Sequence, residues 1–164
     1  MKTTLLGLVL LLCFTSSAQD QIEARNIIYL EAGGFGGLGS FNYERTAFSQ
    51  SNFQIGARIG LGFNKMKDFR NTFNPDIAVP IAACFTYGRN FKGEINIGTT
   101  YTNNVTAGPE LSVVRSTAIH GALAAGFRYQ RMNKGLFLRL GYSPLFEKFS
   151  SIRHWGYLSI GLTL

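Results

Sequence analysis

His120 and His154 are the two histidines of the chain, and they set the test for catalysis. Nucleophilic acyl transfer needs a hydroxyl or thiol beside a base, and an acid to orient that base. His120 is followed by Gly121 and Ala122, so no serine stands two positions along on its own face. His154 neighbours Trp155, with Ser150 and Ser151 upstream in a loop. Neither arrangement makes a dyad, and His120 reads as a satisfied interior histidine and His154 as one at an interface. Metal chemistry has as little to work with. Beyond the first residues the chain keeps Cys84 alone, no Cys/His spacing suggests zinc, and no intrachain disulfide is possible. Asn104-Val105-Thr106 matches a glycosylation sequon, a pattern short enough to arise by chance. The sequence thus points to no enzyme, no cofactor and no metal. What remains is a set of carboxylates and guanidiniums, whose meaning depends on the elements that carry them.

The amino terminus supplies the first element. Lys2, an apolar run from Leu5 to Phe14, and small residues at Ser16 and Ala18 form a signal peptide over residues 1–18, with the mature domain spanning 19–164. The run is shorter than the ~20 residues a membrane-spanning helix requires. A rival reading acylates Cys13, but that chemistry prefers a small residue before the cysteine, and Leu12 stands there. Net charge is +7, and the cations are scattered. Arg89, Lys92, Arg131 and Lys134 fall in turns, and Lys65, Lys67 and Arg70 in one loop, so they read as solvated strand ends. Contact with lipid phosphates at a membrane rim is the sharper alternative. No basic helix suggests nucleic acid.

Along the mature chain the hydrophobic period is two almost everywhere. Phe53, Ile55, Ala57, Ile59, Leu61 and Phe63 share one face, against Gln54, Gly56, Arg58, Gly60 and Gly62. The scheme recurs around Ile77–Tyr87, Ile95–Tyr101, Ile119–Tyr129 and Leu136–Tyr142, with less regular stretches at Ile27–Phe35 and Phe41–Phe48. At the carboxyl end Leu158, Ile160, Leu162 and Leu164 alternate with Tyr157, Ser159, Gly161 and Thr163. A barrel that closes in lipid by pairing its last strand with its first needs such a strand. Eight strands result, an even count, and the expected fold is all-β: an eight-stranded antiparallel up-and-down transmembrane β-barrel. Short polar turns follow strands two, four and six. Longer segments, Asn64–Asn74, Asn103–Arg115 and Pro144–Arg153, follow strands three, five and seven and are expected to be external loops. The glycine-rich Gly33–Gly39 breaks this rule and suggests a tight hairpin or a bulge.

Alternation then assigns the charges. Glu31, Glu44 and Glu94 share the polar face with Arg58, Arg128 and Arg139, and His120 lies on the Arg128 strand. Enclosed charges persist only when paired, so a cross-barrel ion-pair network is expected, fixing register rather than doing chemistry. The wall of eight strands leaves a lumen that side chains fill, so solutes should not diffuse through. A soluble sandwich or lipocalin-like binding protein would alternate too, but its wet face should carry many charges; here that face is mostly Gly, Ala, Asn, Gln and Thr. Aromatics near strand ends and aliphatics at strand centres fit the two girdles of a membrane barrel.

Asn42-Tyr-Glu-Arg45 after the glycine-rich hairpin, Gly126-Phe-Arg-Tyr129, Gly135-Leu-Phe-Leu-Arg-Leu-Gly141 and the terminal strand carry a family likeness. Over Asn26–Leu164 the chain resembles the small eight-stranded outer-membrane barrels of the OmpX and OmpA-domain kind in Gram-negative bacteria, although such barrels often end in an aromatic residue rather than Leu164. The resemblance implies an outer-membrane location, with membrane lipid and the barrel-insertion machinery as partners. The expected role is an envelope-structural barrel, or a scaffold whose loops meet a protein or surface ligand through residues such as Phe69, Phe73, Phe146 and Phe149. A lipid-modifying enzyme and a narrow ion channel are the competing readings.

Overall fold

The structure, a computed structural model, describes residues 25–131, 133–146 and 152–164. The expected signal peptide with Cys13, and Phe149, Ser150 and Ser151, lie outside these residues. Eight strands among them form one closed sheet: β1 Asn26–Gly33, β2 Gly39–Gln50, β3 Phe53–Phe63, β4 Ile77–Gly88, β5 Phe91–Ala107, β6 Val113–Gln130, β7 Gly135–Phe146 and β8 Ile152–Thr163. Each is antiparallel to its chain neighbour. β8 closes on β1 from Ile27 opposite Thr163 to Gly33 opposite Tyr157. The alternation is the cause, since side chains of successive strand residues point to opposite faces and a closed sheet has one inside and one outside.

Residues 51–52 and 89–90 form two-residue turns after β2 and β4. Ser51 adopts φ 52 and Gly88 φ 134, backbone that tight hairpins require. Two prolines mark gaps in the ladders. Pairing of β3 with β4 skips from Ile59–Ile81 to Gly62–Ala78 around Pro80. That of β6 with β7 skips from Ala122–Leu145 to Ala125–Tyr142 around Pro144, where the Ser143 hydroxyl donates to the Leu123 carbonyl at 3.0 Å. Proline has no N–H to give the ladder, so both gaps follow from residue type.

Two segments depart from the sequence expectation. Asn103–Arg115 is not a loop: β5 and β6 continue as a hairpin paired out to Ala107 opposite Val113. β4 meets β5 only up to Asn103, and β7 meets β6 only up to Gly121. The hairpin therefore overtops its described neighbours, by eight residues on the β6 side, about 25 Å of strand. Val105, Thr106, Val113, Val114, Thr117 and Ile119 explain it, being types that favour extended backbone. Second, β1 stops at Gly33, and Gly34–Gly36 form a 3-10 turn that folds into the barrel mouth, with Phe35 buried. Gly33, Gly34 and Gly37 all have positive φ, so glycine is needed for the inward course of this loop.

Candidate functional site

The inner face is polar and closed to solvent. Glu31 on β1, Glu44 on β2, Arg58 on β3, Glu94 on β5, Arg128 on β6 and Arg139 on β7 meet there, with side chains at most 3% exposed. Five ion pairs join all six in one alternating chain. Arg58 pairs with Glu31 at 3.2 Å and Arg139 with the same carboxylate at 3.4 Å. Arg139 also reaches Glu94 at 3.1 Å, Glu94 meets Arg128 at 2.5 Å, and Arg128 meets Glu44 at 2.6 Å. No two residues of this chain lie on one strand, so its links run across the lumen and hold six strands at fixed heights.

Register explains why Glu94 is its hub. Arg128 and Arg139 are directly opposite in the β6–β7 ladder, an unfavourable like-charge pair unless an anion lies between them. The Glu94 carboxylate offers one oxygen to each guanidinium and accepts a hydrogen bond from Tyr157 at 2.6 Å. Glu44 and Arg58 are also opposite partners, yet each bonds elsewhere, Glu44 to Arg128 and Arg58 to Glu31. Gly126 and Gly141, paired across β6 and β7, leave room for the Tyr157 ring; a methyl at either would collide with it or with a neighbouring carbonyl.

Aromatic side chains that the sequence reading left out complete the network. Tyr29 accepts hydrogen bonds from Arg58 at 3.1 Å and Arg139 at 2.9 Å, and its ring packs on Phe137 at 5.0 Å. Arg58 lies over the Phe35 ring at 4.4 Å, and Arg139 over Tyr157 at 4.6 Å. Phe35 nests with Ala82, Ala122 and Ala124, so the small residues on the inner faces of β4 and β6 fit the inserted ring. Its carbonyl accepts from Thr100 at 2.9 Å. Tyr29 and Tyr157 were legible as inner-face positions by alternation. The inward turn that delivers Phe35 had only a run of glycines to announce it.

Lys92 corrects the assignment of cations to turns. It is buried near the short-turn end, with its ammonium on Gln54 and Gln130. It is the register partner of Arg128, and so faces inward. The three-against-three balance therefore acquires a further inner cation. His120 faces inward as expected but lies at the mouth, far from the ion pairs, with Nε2 3.0 Å from the Thr102 hydroxyl. His154 lies exposed near the long-loop rim, stacked on Tyr142 and bonded to its hydroxyl. No serine accompanies either ring in the described hydrogen bonds. Among the described residues, no three His, Cys, Asp or Glu side chains gather as a metal site. Cys84 is free and buried in the inner wall.

The outer face is the converse. Leu30, Ile59, Ile81, Ile95, Ile97, Leu140, Leu158 and Ile160 are each at least half exposed. Leu162 and Leu164 continue the outward face of the last strand. Phe53, Tyr87, Phe91 and Phe127 are exposed near the short turns, and Phe41, Phe63, Tyr101 and Tyr142 toward the long-loop end.

No family model matches the sequence, and none of the curated proteins does. Among solved structures, the crystal structure of the N-terminal β-barrel domain of Pseudomonas aeruginosa OprF superposes with a TM-score of 0.55 at 14% identity, covering 84% of this chain and 97% of that one. At that identity the likeness is one of fold, and the fold of this chain is the closed, eight-stranded, antiparallel barrel of the OprF domain.

Proposed function

We propose that this chain is an integral outer-membrane barrel that crosses the bilayer with β1–β8, does no chemistry, and serves as a rigid envelope element displaying its long-loop end at the cell surface. The observation that carries this reading is the inversion of polarity: buried ion pairs inside, a continuous aliphatic belt flanked by aromatics outside. Soluble monomers expose apolar patches of only a few hundred Å². A lipid-spanning barrel requires such a belt, and closure of the sheet removes the open edge that hydrocarbon would not tolerate. A lipocalin-like carrier would invert the pattern, with an apolar interior for its ligand. The packed aromatic and ion-pair interior supports a role without solute passage, and outer-membrane lipid and the insertion machinery are the partners this reading requires.

Fractionation tests the location and labelling tests the orientation. The mature protein should sediment with outer membranes and, unheated, run faster in detergent gels than after boiling. In a Cys84→Ala background, Asn71→Cys should react with a membrane-impermeant maleimide on intact cells and Asn133→Cys should not. Recovery in the soluble fraction with no heat shift would overturn the location, and labelling of Asn133→Cys alone would invert the orientation.

A further inference from the structure

We infer that the cup at the long-loop end binds a neutral sugar unit, with Trp155 as its stacking wall. The cup encloses about 490 Å³. Its floor is Phe35, which lies directly on Arg58 and the ion pairs beneath, so a molecule that enters can dock but not pass. Its size falls in the range of roughly 300–1,000 Å³ typical of small-molecule sites, room for one or two sugar rings.

The lining selects the ligand chemistry. Lys65 and Asp76 from the β3–β4 connection contribute one charge of each sign, which favours neither anions nor cations. Asp76 is buried, with one carboxylate oxygen accepting from the Val105 N–H at 2.7 Å. The Asn104 side-chain oxygen is shielded from solvent and has no hydrogen-bond partner. The Thr102 hydroxyl stands 3.0 Å from His120 Nε2 and 3.3 Å from the Ala118 carbonyl, which ties the imidazole to the hairpin at the cup's edge. The cup therefore sets the Asp76 and Asn104 acceptors and the polar His120 ring next to one half-buried indole. An apolar ligand would strand those acceptors, an anion would face Asp76, and a cation would face Lys65. A sugar supplies hydroxyls along its edges and an apolar C–H face for the indole.

The walls are also held in shape before any ligand arrives. Arg115 bonds Asn103 at 2.5 Å and reaches Asn74, tying the β3–β4 connection to the tall hairpin. The Asp76 N–H donates to the Lys65 carbonyl at 2.9 Å, and Asn64 accepts from the Leu38 N–H at 3.1 Å. Cross-ties between three separate segments fix the cup, the condition under which a few hydrogen bonds give useful affinity. This inference needs the closed barrel and the course of its connections, and does not depend on the membrane location.

Trp155 is the single tryptophan of the chain, so its emission reports on the cup directly. The folded mature protein, in a detergent without a sugar headgroup, is titrated with glucose, galactose and N-acetylglucosamine up to roughly 100 mM, and separately with glycine and inorganic phosphate. At least one sugar should give a saturable change with a Kd on the order of millimolar, and glycine and phosphate none. Asn104→Ala and His120→Ala should each weaken that response by about tenfold while retaining the gel mobility of the folded barrel. No saturation by any of the three sugars, an equal response to glycine or phosphate, or an undiminished response in both variants would overturn the site. A failed titration of a barrel that still shows its heat shift counts against the sugar site and leaves the outer-membrane reading standing.

Discussion

The two faces of β7 obey different rules. Outward, Leu136, Leu138 and Leu140 are exposed and touch nothing specific; inward, Phe137, Arg139 and Ser143 are sealed and tied to named partners on other strands. In the proposed lipid environment any apolar residue would satisfy the outer face, because lipid makes no directional demand. The inner face demands particular atoms at particular heights, since a buried charge without its partner is costly. Closure of the sheet thus holds the strands together, while the lumen decides which register they adopt.

The largest effect should come from removing the element both faces share. Deleting Ile160–Leu164 removes four of the seven β8 residues that pair with β1, and the same residues pair with the start of β7, so two edges open. Such a chain should be protease-sensitive and show no heat-shifted band. Next should come the hub of the lumen. Glu94→Leu leaves Arg128 and Arg139 facing each other with no carboxylate between them, and Arg128→Leu strands Glu44. Each should cost on the order of 3–5 kcal/mol in urea unfolding of the reconstituted barrel. On the outer face, Leu138→Arg should cost about 2–4 kcal/mol if it sits near the midplane, and Leu138→Val far less. Lys67→Leu, in the exposed β3–β4 connection, should change stability by no more than about 0.5 kcal/mol. Equal costs for Arg128→Leu and Lys67→Leu would mean that the faces have been assigned one residue out of register.

How much of this was legible follows from the same contrast. Alternation marks every position as inner or outer, which is why Glu31, Arg58 and Arg139 could be gathered on one face before any fold was known. It does not reveal partners. Glu44 and Arg58 are neighbours in the ladder yet bond across the lumen to other residues, a choice made by side-chain reach and not by sequence spacing. Lys92 was misplaced because a cation two residues from a turn looks solvated, although its parity already put it inside. Phe35 was hidden because glycines permit an inward course without specifying it. The tall β5–β6 hairpin is expected to be a loop from the length of Asn103–Arg115, although β-branched Val105, Thr106, Val113 and Val114 signal strand.

The central claim is that the apolar outer face meets lipid, and depth-resolved spin labelling tests it most directly. In a Cys84→Ala background, nitroxides placed through Leu138→Cys, Ile160→Cys and Lys67→Cys are examined in lipid vesicles for collision with oxygen, which favours hydrocarbon, and with a water-soluble nickel complex. The labels at 138 and 160 should be accessible to oxygen and shielded from nickel, and the label at 67 the reverse. Free access of nickel to the labels at 138 and 160 in a folded barrel would place the aliphatic belt in water and contradict the account.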